Sequence, residues 1–129
     1  MKEYASLPLR LALGIVFVAH GLQKTFGLFA GTGMYNFTSF IATLGFKPPI
    51  IWAYLAAYTE LFCGILVLVG LFTRASCLLL LTVMLVAIKI HLGKGFFAMD
   101  GGFEYPLVLA LACLALFLNG SGKFSITKN

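Results

Sequence analysis

From Pro48 to Thr73, Glu60 is the only charged side chain. A helix needs about 20 mostly apolar residues to cross the hydrocarbon core of a bilayer, and this stretch exceeds that length. In water nothing would cover such a segment. In lipid it needs no cover, and its one carboxyl becomes the anomaly. The rest of the chain follows the same pattern. Apolar runs extend from about Leu7 to Phe26, from Ile50 to about Leu71, from Ala75 to about His91, and from about Phe103 to Leu118. The composition agrees, with 61% hydrophobic and only 10% charged residues, against roughly 45–50% and 25% in soluble domains. The 129 residues support a single domain. The expectation is all-α: an integral membrane four-helix bundle, with a short amphipathic helix between the first two spans.

Pro8 falls in the first turn of the first run, where a missing N–H costs nothing. Lys2 precedes that run, but His20 and Lys24 interrupt its far end and no A-x-A site follows. It therefore reads as a retained helix and not a signal peptide. Pro48-Pro49 opens the second run. The Arg74 connection is so short that the second and third runs must form an antiparallel hairpin. Residues 92–102 form a glycine-rich loop, and Asn119-Gly120-Ser121-Gly122 stops the last helix. In the long non-spanning stretch 27–49, Met34, Phe37, Phe40, Ile41 and Leu44 recur at helical spacing after Thr32, a candidate N-cap. That is the pattern of an interfacial helix. Small residues at Ala53 and Ala57, and at Gly27 and Gly31, offer places for close helix contact.

The formal charge of +5 is scattered singly along the chain, so no basic track fits a nucleic-acid backbone. Lys2, Arg10, Arg74, Lys123 and Lys128 fall on one side of a four-span arrangement, and Lys24, Lys47, Lys89 and Lys94 on the other. The bias places both termini in the cytoplasm of a multi-pass inner-membrane protein. Cys63, Cys77 and Cys113 sit in separate apolar runs without a CxxC pair, which fits buried small hydrophobes and not a disulfide framework.

The informative residues are the charges that hydropathy would not choose. Glu60 lies ~15 Å along its helix from the outer surface at about 1.5 Å per residue. Ionisable groups at such depth turn inward, find partners and mark sites, unless they only pin helix register. His20 and Lys24 are four apart and share a face of the first helix. His20 falls at a depth close to that of Glu60, and Lys24 a turn nearer the surface, where it could also snorkel. Lys89 and His91 diverge on the third helix, so one of them faces inward. Glu104 opens the fourth helix, where a carboxylate also suits the helix dipole. Tyr58 and Tyr105 lie near Glu60 and Glu104 and could add hydroxyl donors, although an interface belt explains most aromatics on that side. The inner half shows no comparable group. The expectation is one network of Glu60, His20, Lys24 and Glu104 in the outer half. Two His and two Glu match no established metal-ligand spacing. His20 and His91 fit a haem poorly, because His91 lies nearer the surface, so neither metal nor haem is expected.

His20-Gly21-Leu22-Gln23-Lys24, Glu60-Leu61-Phe62-Cys63-Gly64 leading to Gly70-Leu71-Phe72-Thr73-Arg74, Gly101-Gly102-Phe103-Glu104-Tyr105 and the ending Asn119-Gly120-Ser121-Gly122-Lys123-Phe124-Ser125 occur in this order. Together they resemble the DoxX family over essentially the whole chain. The resemblance implies a four-helix bacterial inner-membrane protein linked to quinone or thiol redox systems, in some relatives as a subunit of thiosulfate:quinone oxidoreductase. It transfers no assigned catalytic residue. A quinone site needs an apolar slot, a hydrogen-bond donor and a proton-exchanging group. Glu60 with His20 and Lys24 would supply the catalytic groups, and Glu104, His91, Tyr58 and Tyr105 the substrate contacts. The chain carries no nucleotide fingerprint, so electrons would come from a redox-enzyme partner or a diffusible carrier. Beyond lipid and such a partner, the alternatives are an assembly subunit whose polar cluster is structural glue, and a proton or solute transporter working as a homo-oligomer. The inner half lacks the polar stepping stones a transporter needs.

Overall fold

The structure, a computed structural model, describes residues 2–122 and 125–126, with the side chains of Lys2 and Glu3 excepted. Lys123, Phe124 and Lys128, used above for topology and motif, lie outside the described residues. Five α-helices follow one another: α1 (Lys2–Phe26), α2 (Gly33–Thr43), α3 (Pro49–Val69), α4 (Thr73–His91) and α5 (Glu104–Asn119), with 3-10 turns at Leu92–Lys94 and Ala98–Asp100. The fold is an all-α membrane bundle of α1, α3, α4 and α5, with the short α2 packed against α1 and α3 at one end. Segments Tyr4–Phe26, Pro49–Val69 and Thr73–Lys94 are long and apolar enough to cross a bilayer. The 16 residues of α5 reach only about 24 Å at ~1.5 Å per residue, short of a ~30 Å core. It packs along α4 and completes the bundle.

Two boundaries differ from the sequence expectation. The first helix starts at Lys2, so Pro8 lies inside it and not in its first turn. An exposed Pro8 still fits, because its ring removes only one backbone donor near the helix start. Thr32 makes no side-chain cap to α2, and its own conformation is already helical. The Asn36 side-chain amide instead donates to the Thr32 carbonyl at 3.0 Å.

α1 and α3 approach so closely that a side chain at any of three glycines would press on the facing helix. A Cβ on Gly21 would lie 2.7 Å from the Leu61 Cα, one on Gly14 2.7 Å from the Leu68 Cβ, and one on Gly64 3.0 Å from the Phe17 Cβ. Small residues do mediate helix contact here, as membrane packing requires, but not all are the ones expected. Ala53 and Ala57 are fully buried against Phe37 and Ile41 of α2. Gly27 and Gly31 belong to the turn between α1 and α2, and Gly31 still packs against α1, since a Cβ there would lie 2.5 Å from the Gln23 Cα.

The α3–α4 hairpin turns in three residues. Gly70 closes α3 in the left-handed conformation, which glycine adopts without cost, and the Leu71 N–H returns to the Leu66 carbonyl at 2.9 Å. The main core, built around Phe17, Val67, Leu80 and Leu116, also takes in all three cysteines as free thiols. The two ends of the chain meet at the end opposite α2. There the Ser6 hydroxyl donates to the Ser121 carbonyl at 2.7 Å, and the Ile126 N–H reaches the Val69 carbonyl at 3.3 Å.

This termini end corrects one expectation. It was to carry no inward ionisable group, yet Arg10 is only 1% exposed. Its guanidinium donates to the Ser121 carbonyl at 3.1 Å. Because α1 begins at Lys2, Arg10 sits two turns inside the helix and not at its mouth, and the segment after α5 closes over it.

Candidate functional site

The Gly21–Leu61 contact levels His20 with Glu60, since each precedes a member of that contact. Lys24, one turn further along α1, then reaches Glu60. Its Nζ donates to the Glu60 Oε1 at 2.6 Å, the only salt bridge among the described residues. The Glu60 side chain is 2% exposed and that of Lys24 26%. The Phe37 ring of α2 lies under the ammonium, 5.0 Å from Nζ, an arrangement that attracts a cation electrostatically. Thus α1 supplies the cation, α3 the anion and α2 the apolar base beneath them. A charge pair held this way is net neutral. Its attraction offsets desolvation only while both partners are present, and removing one costs about 3–5 kcal/mol.

This pair stands in the wall of a cavity of about 870 Å³ in the α2 half of the bundle. The lining is mostly apolar, with Phe17, Ile41, Met84 and Leu109 among its members, and it also includes His20, Lys24, Glu60, His91 and Tyr105. The His20 ring is 5.9 Å from the Tyr105 ring, centroid to centroid, and it lies within electrostatic reach of both Glu60 and Lys24. His91 Nδ1 lies 2.7 Å from the Ala87 carbonyl oxygen. A carbonyl can only accept, so Nδ1 carries a proton, and in the matching neutral tautomer Nε2 is the acceptor. Lys89, two residues away, is exposed, so His91 is the one of the two that borders the cavity.

The cavity side chains have hydrogen-bonding capacity to spare. Among the described residues, His20 and the Tyr105 hydroxyl make no hydrogen bond, Glu60 makes only the one to Lys24, and His91 only the one to Ala87. Glu60 is buried, His20 and His91 are partly exposed and Tyr105 is exposed. Around one largely apolar cavity they offer acceptors at Glu60 and His91 Nε2, and groups of either role at His20 and Tyr105.

Two expected members are placed elsewhere. Glu104 does not join the network. Its Oε1 accepts from the Ala98 N–H at 2.9 Å while its own N–H donates to the Phe96 carbonyl at 2.8 Å, so it ties down the loop before α5. Gly102 is needed in that loop, because a Cβ there would collide with the backbone of Gly95 and Phe96. Tyr58 points away from the cavity and stacks between Tyr54 and Phe62 on the outer face of α3, at 5.8 and 5.7 Å. The sequence reading also missed residues that build the site. Phe37 and Ile41 were visible as the apolar face of α2, but which face met Lys24 was not. Gln23 also borders the cavity, and its amide donates to the Phe29 carbonyl at 3.3 Å, which holds the turn into α2.

Residues 5–98 match the family model described as DoxX. The chain belongs to the DoxX family. A Bacillus subtilis (strain 168) protein named "Putative oxidoreductase CatD" is 35% identical over 120 residues, covering 92% of this chain and 81% of that protein. "Uncharacterized membrane protein Rv3486" of Mycobacterium tuberculosis (strain ATCC 25618 / H37Rv) is 30% identical over 132 residues, covering 93% and 77%. A Haemophilus influenzae (strain ATCC 51907 / DSM 11121 / KW20 / Rd) protein is 34% identical over 80 residues, covering 61% and 53%. No solved structure matches the chain.

Proposed function

We propose that this DoxX protein is the membrane component of a redox system and binds a lipid-soluble quinone-type carrier in the cavity beside Glu60. The observation that carries this reading is the Lys24–Glu60 pair, set in the wall of a large apolar cavity among polar groups with unspent hydrogen-bonding capacity. The cavity volume falls within the range of about 300–1,000 Å³ typical of small-molecule sites. The oxidoreductase name of the Bacillus relative supports the reaction class. In this reading the termini end faces the cytoplasm of a bacterial inner membrane and the cavity lies in the outer half of the bilayer, as the lysine and arginine bias favours.

The residues divide the work by chemistry. Glu60 exchanges protons with the carrier oxygens, and Lys24 holds its carboxylate in place and balances its charge. His20, at the same level, passes protons between Glu60 and the surface, a role suited to imidazole. His91 Nε2 and the Tyr105 hydroxyl bind and orient the ring. Reducing a quinone takes two protons and two electrons. The cavity residues handle the protons, and a redox-enzyme partner supplies the electrons.

The test is quinone binding and reduction per folded molecule in membranes carrying wild type or Glu60→Gln. Gln keeps the size and one acceptor but cannot carry the charge or exchange the proton. Loss of about 100-fold or more in rate, in the range that general acid–base groups contribute, with normal membrane level, is the expected result. Unchanged turnover with a lowered level of protein or of its partner complex would transfer the cluster to an assembly role.

A further inference from the structure

We propose that the cavity admits the apolar tail of its ligand directly from the bilayer, through a doorway between α3 and α4. The ligand class is therefore a membrane-resident amphiphile with a polar head and not a water-soluble solute. The proposal rests on the reading of the cavity as a substrate site, and it adds the route and the ligand class.

The hairpin provides the opening. Its three-residue turn forces α3 and α4 together at the termini end, where Val67 of α3 and Cys77 and Leu80 of α4 are buried in one core. Toward the α2 end α4 is covered less closely: its buried residues stop at Met84. The other flanks of α3 are closed, by α1 at the glycine contacts and by α2 at Ala53 and Ala57. What remains is the gap between α3 and α4. Leu55 and Ala56 border it from α3, and Thr82 and Val86 from α4, and all four line the cavity. Leu55 is nevertheless 57% exposed and Val86 43%, and Thr82 is exposed as well. Residues that line a cavity and are also exposed mark where it opens.

The depth of the opening identifies its user. Thr82 lies nine residues into α4, about 14 Å from the helix start at ~1.5 Å per residue. That is the level of acyl chains in a ~30 Å core. Glu60 and Lys24 wait inside at the polar end, so a head would settle there while its tail fills the apolar remainder and trails out between Leu55 and Val86. The cavity has a second mouth at the α2 end, where Ala30, Thr32, Phe40, Trp52, Ala98 and Tyr105 are exposed and line it. A soluble ligand would use that mouth and ignore the doorway.

Two photoreactive probes separate the routes, both with a diazirine on a decyl tail: one bears a quinone head, the other is the plain fatty alcohol. In liposomes containing the full chain, both should form adducts on Met84 and Leu109 inside the cavity. Thr82→Trp and Val86→Trp each fill the doorway from a position that tolerates bulk. Each should cut those adducts at least about tenfold, equivalent to ~1.4 kcal/mol at equilibrium, while adducts on the lipid-facing Leu111 of α5 stay unchanged. Leu111 labelling also reports whether each variant has inserted, and the midpoint of thermal unfolding in detergent whether it has folded. Interior labelling that survives both tryptophans overturns the doorway. If the quinone probe labels the interior no better than the alcohol does, the doorway stands and the quinone reading fails.

Discussion

Two ends of this molecule each bury a charge, and they do so for different reasons. At the termini end Arg10 is enclosed where α1 meets the segment after α5. Its guanidinium and the Ser6 hydroxyl converge on one backbone carbonyl, that of Ser121. Neither Arg10 nor Ser6 lines the cavity. At the α2 end Glu60 is equally buried, but it stands in a cavity wall and spends one hydrogen bond on Lys24. His20, His91 and Tyr105 beside it keep capacity for more. A buried charge alone is therefore a poor marker of a site, because stitching chain ends together uses the same chemistry. Space beside the charge, with polar groups not yet committed, separates binding from bracing.

The sharpest way to break this contrast is to remove Lys24. Lys24→Met leaves the Glu60 carboxylate buried without its cation, and stability should fall by about 3–5 kcal/mol, read as a lower midpoint in thermal unfolding of the purified protein in detergent. The double change Lys24→Met with Glu60→Leu removes both charges, and replacing a buried pair by apolar residues is often neutral or stabilising. Stability should return to within ~1 kcal/mol of wild type, while quinone reduction stays lost. Recovery of activity in the double variant would show that the pair is a brace like Arg10.

Arg10→Met gives the reciprocal result. Hydrogen bonds to a charged donor contribute roughly 1.5–3 kcal/mol, and the variant should unfold earlier by about that amount and accumulate less in membranes. Activity per folded molecule should be unchanged, because nothing at the Ser121 contact reaches the cavity. Gly21→Ala falls between the two regions in kind. Its methyl meets the Leu61 backbone, overpacking that costs about 1–3 kcal/mol. Separating α1 from α3 at that level also lengthens the Lys24–Glu60 contact, so stability and turnover should fall together.

These outcomes bear on what a sequence can disclose. The bundle was legible because four apolar runs leave no other solution, and Glu60 and Lys24 stood out because a charge in such a run has few explanations. His91 could be chosen over Lys89 only once the Ala87 contact and the exposure of Lys89 were known. Arg10 was misread because the start of α1 decides whether it lies at a surface or two turns inside, and apolar patterning blurs helix ends. Glu104 was misplaced for a related reason. A carboxylate at the start of a helix can face a neighbouring helix or its own preceding loop with equal ease, and loop backbone geometry is not written in periodicity. The cavity itself was invisible, since its lining is drawn from all five helices and belongs to no one of them.

The smallest expected effect tests the boundary of the site. Tyr58 and Tyr105 were indistinguishable in the sequence, both tyrosines within two residues of a carboxylate and near the α2 end. The structure puts Tyr105 in the cavity wall beside His20 and Tyr58 in an aromatic stack on the outside of α3. Removing only a hydroxyl keeps each ring and its packing, so Tyr105→Phe and Tyr58→Phe should both leave stability within ~0.5 kcal/mol, as for other surface changes. If Tyr105 orients a bound ring through its hydroxyl, Tyr105→Phe should weaken quinone binding by about 1 kcal/mol, the net value of one hydrogen bond, or roughly fivefold in affinity. Tyr58→Phe should change nothing, because its hydroxyl has no access to the cavity. Titration of a tailed quinone against both variants in the same liposomes reads the difference. Equal affinities would remove Tyr105 from the site and confine it to the wall nearer Glu60 and His91.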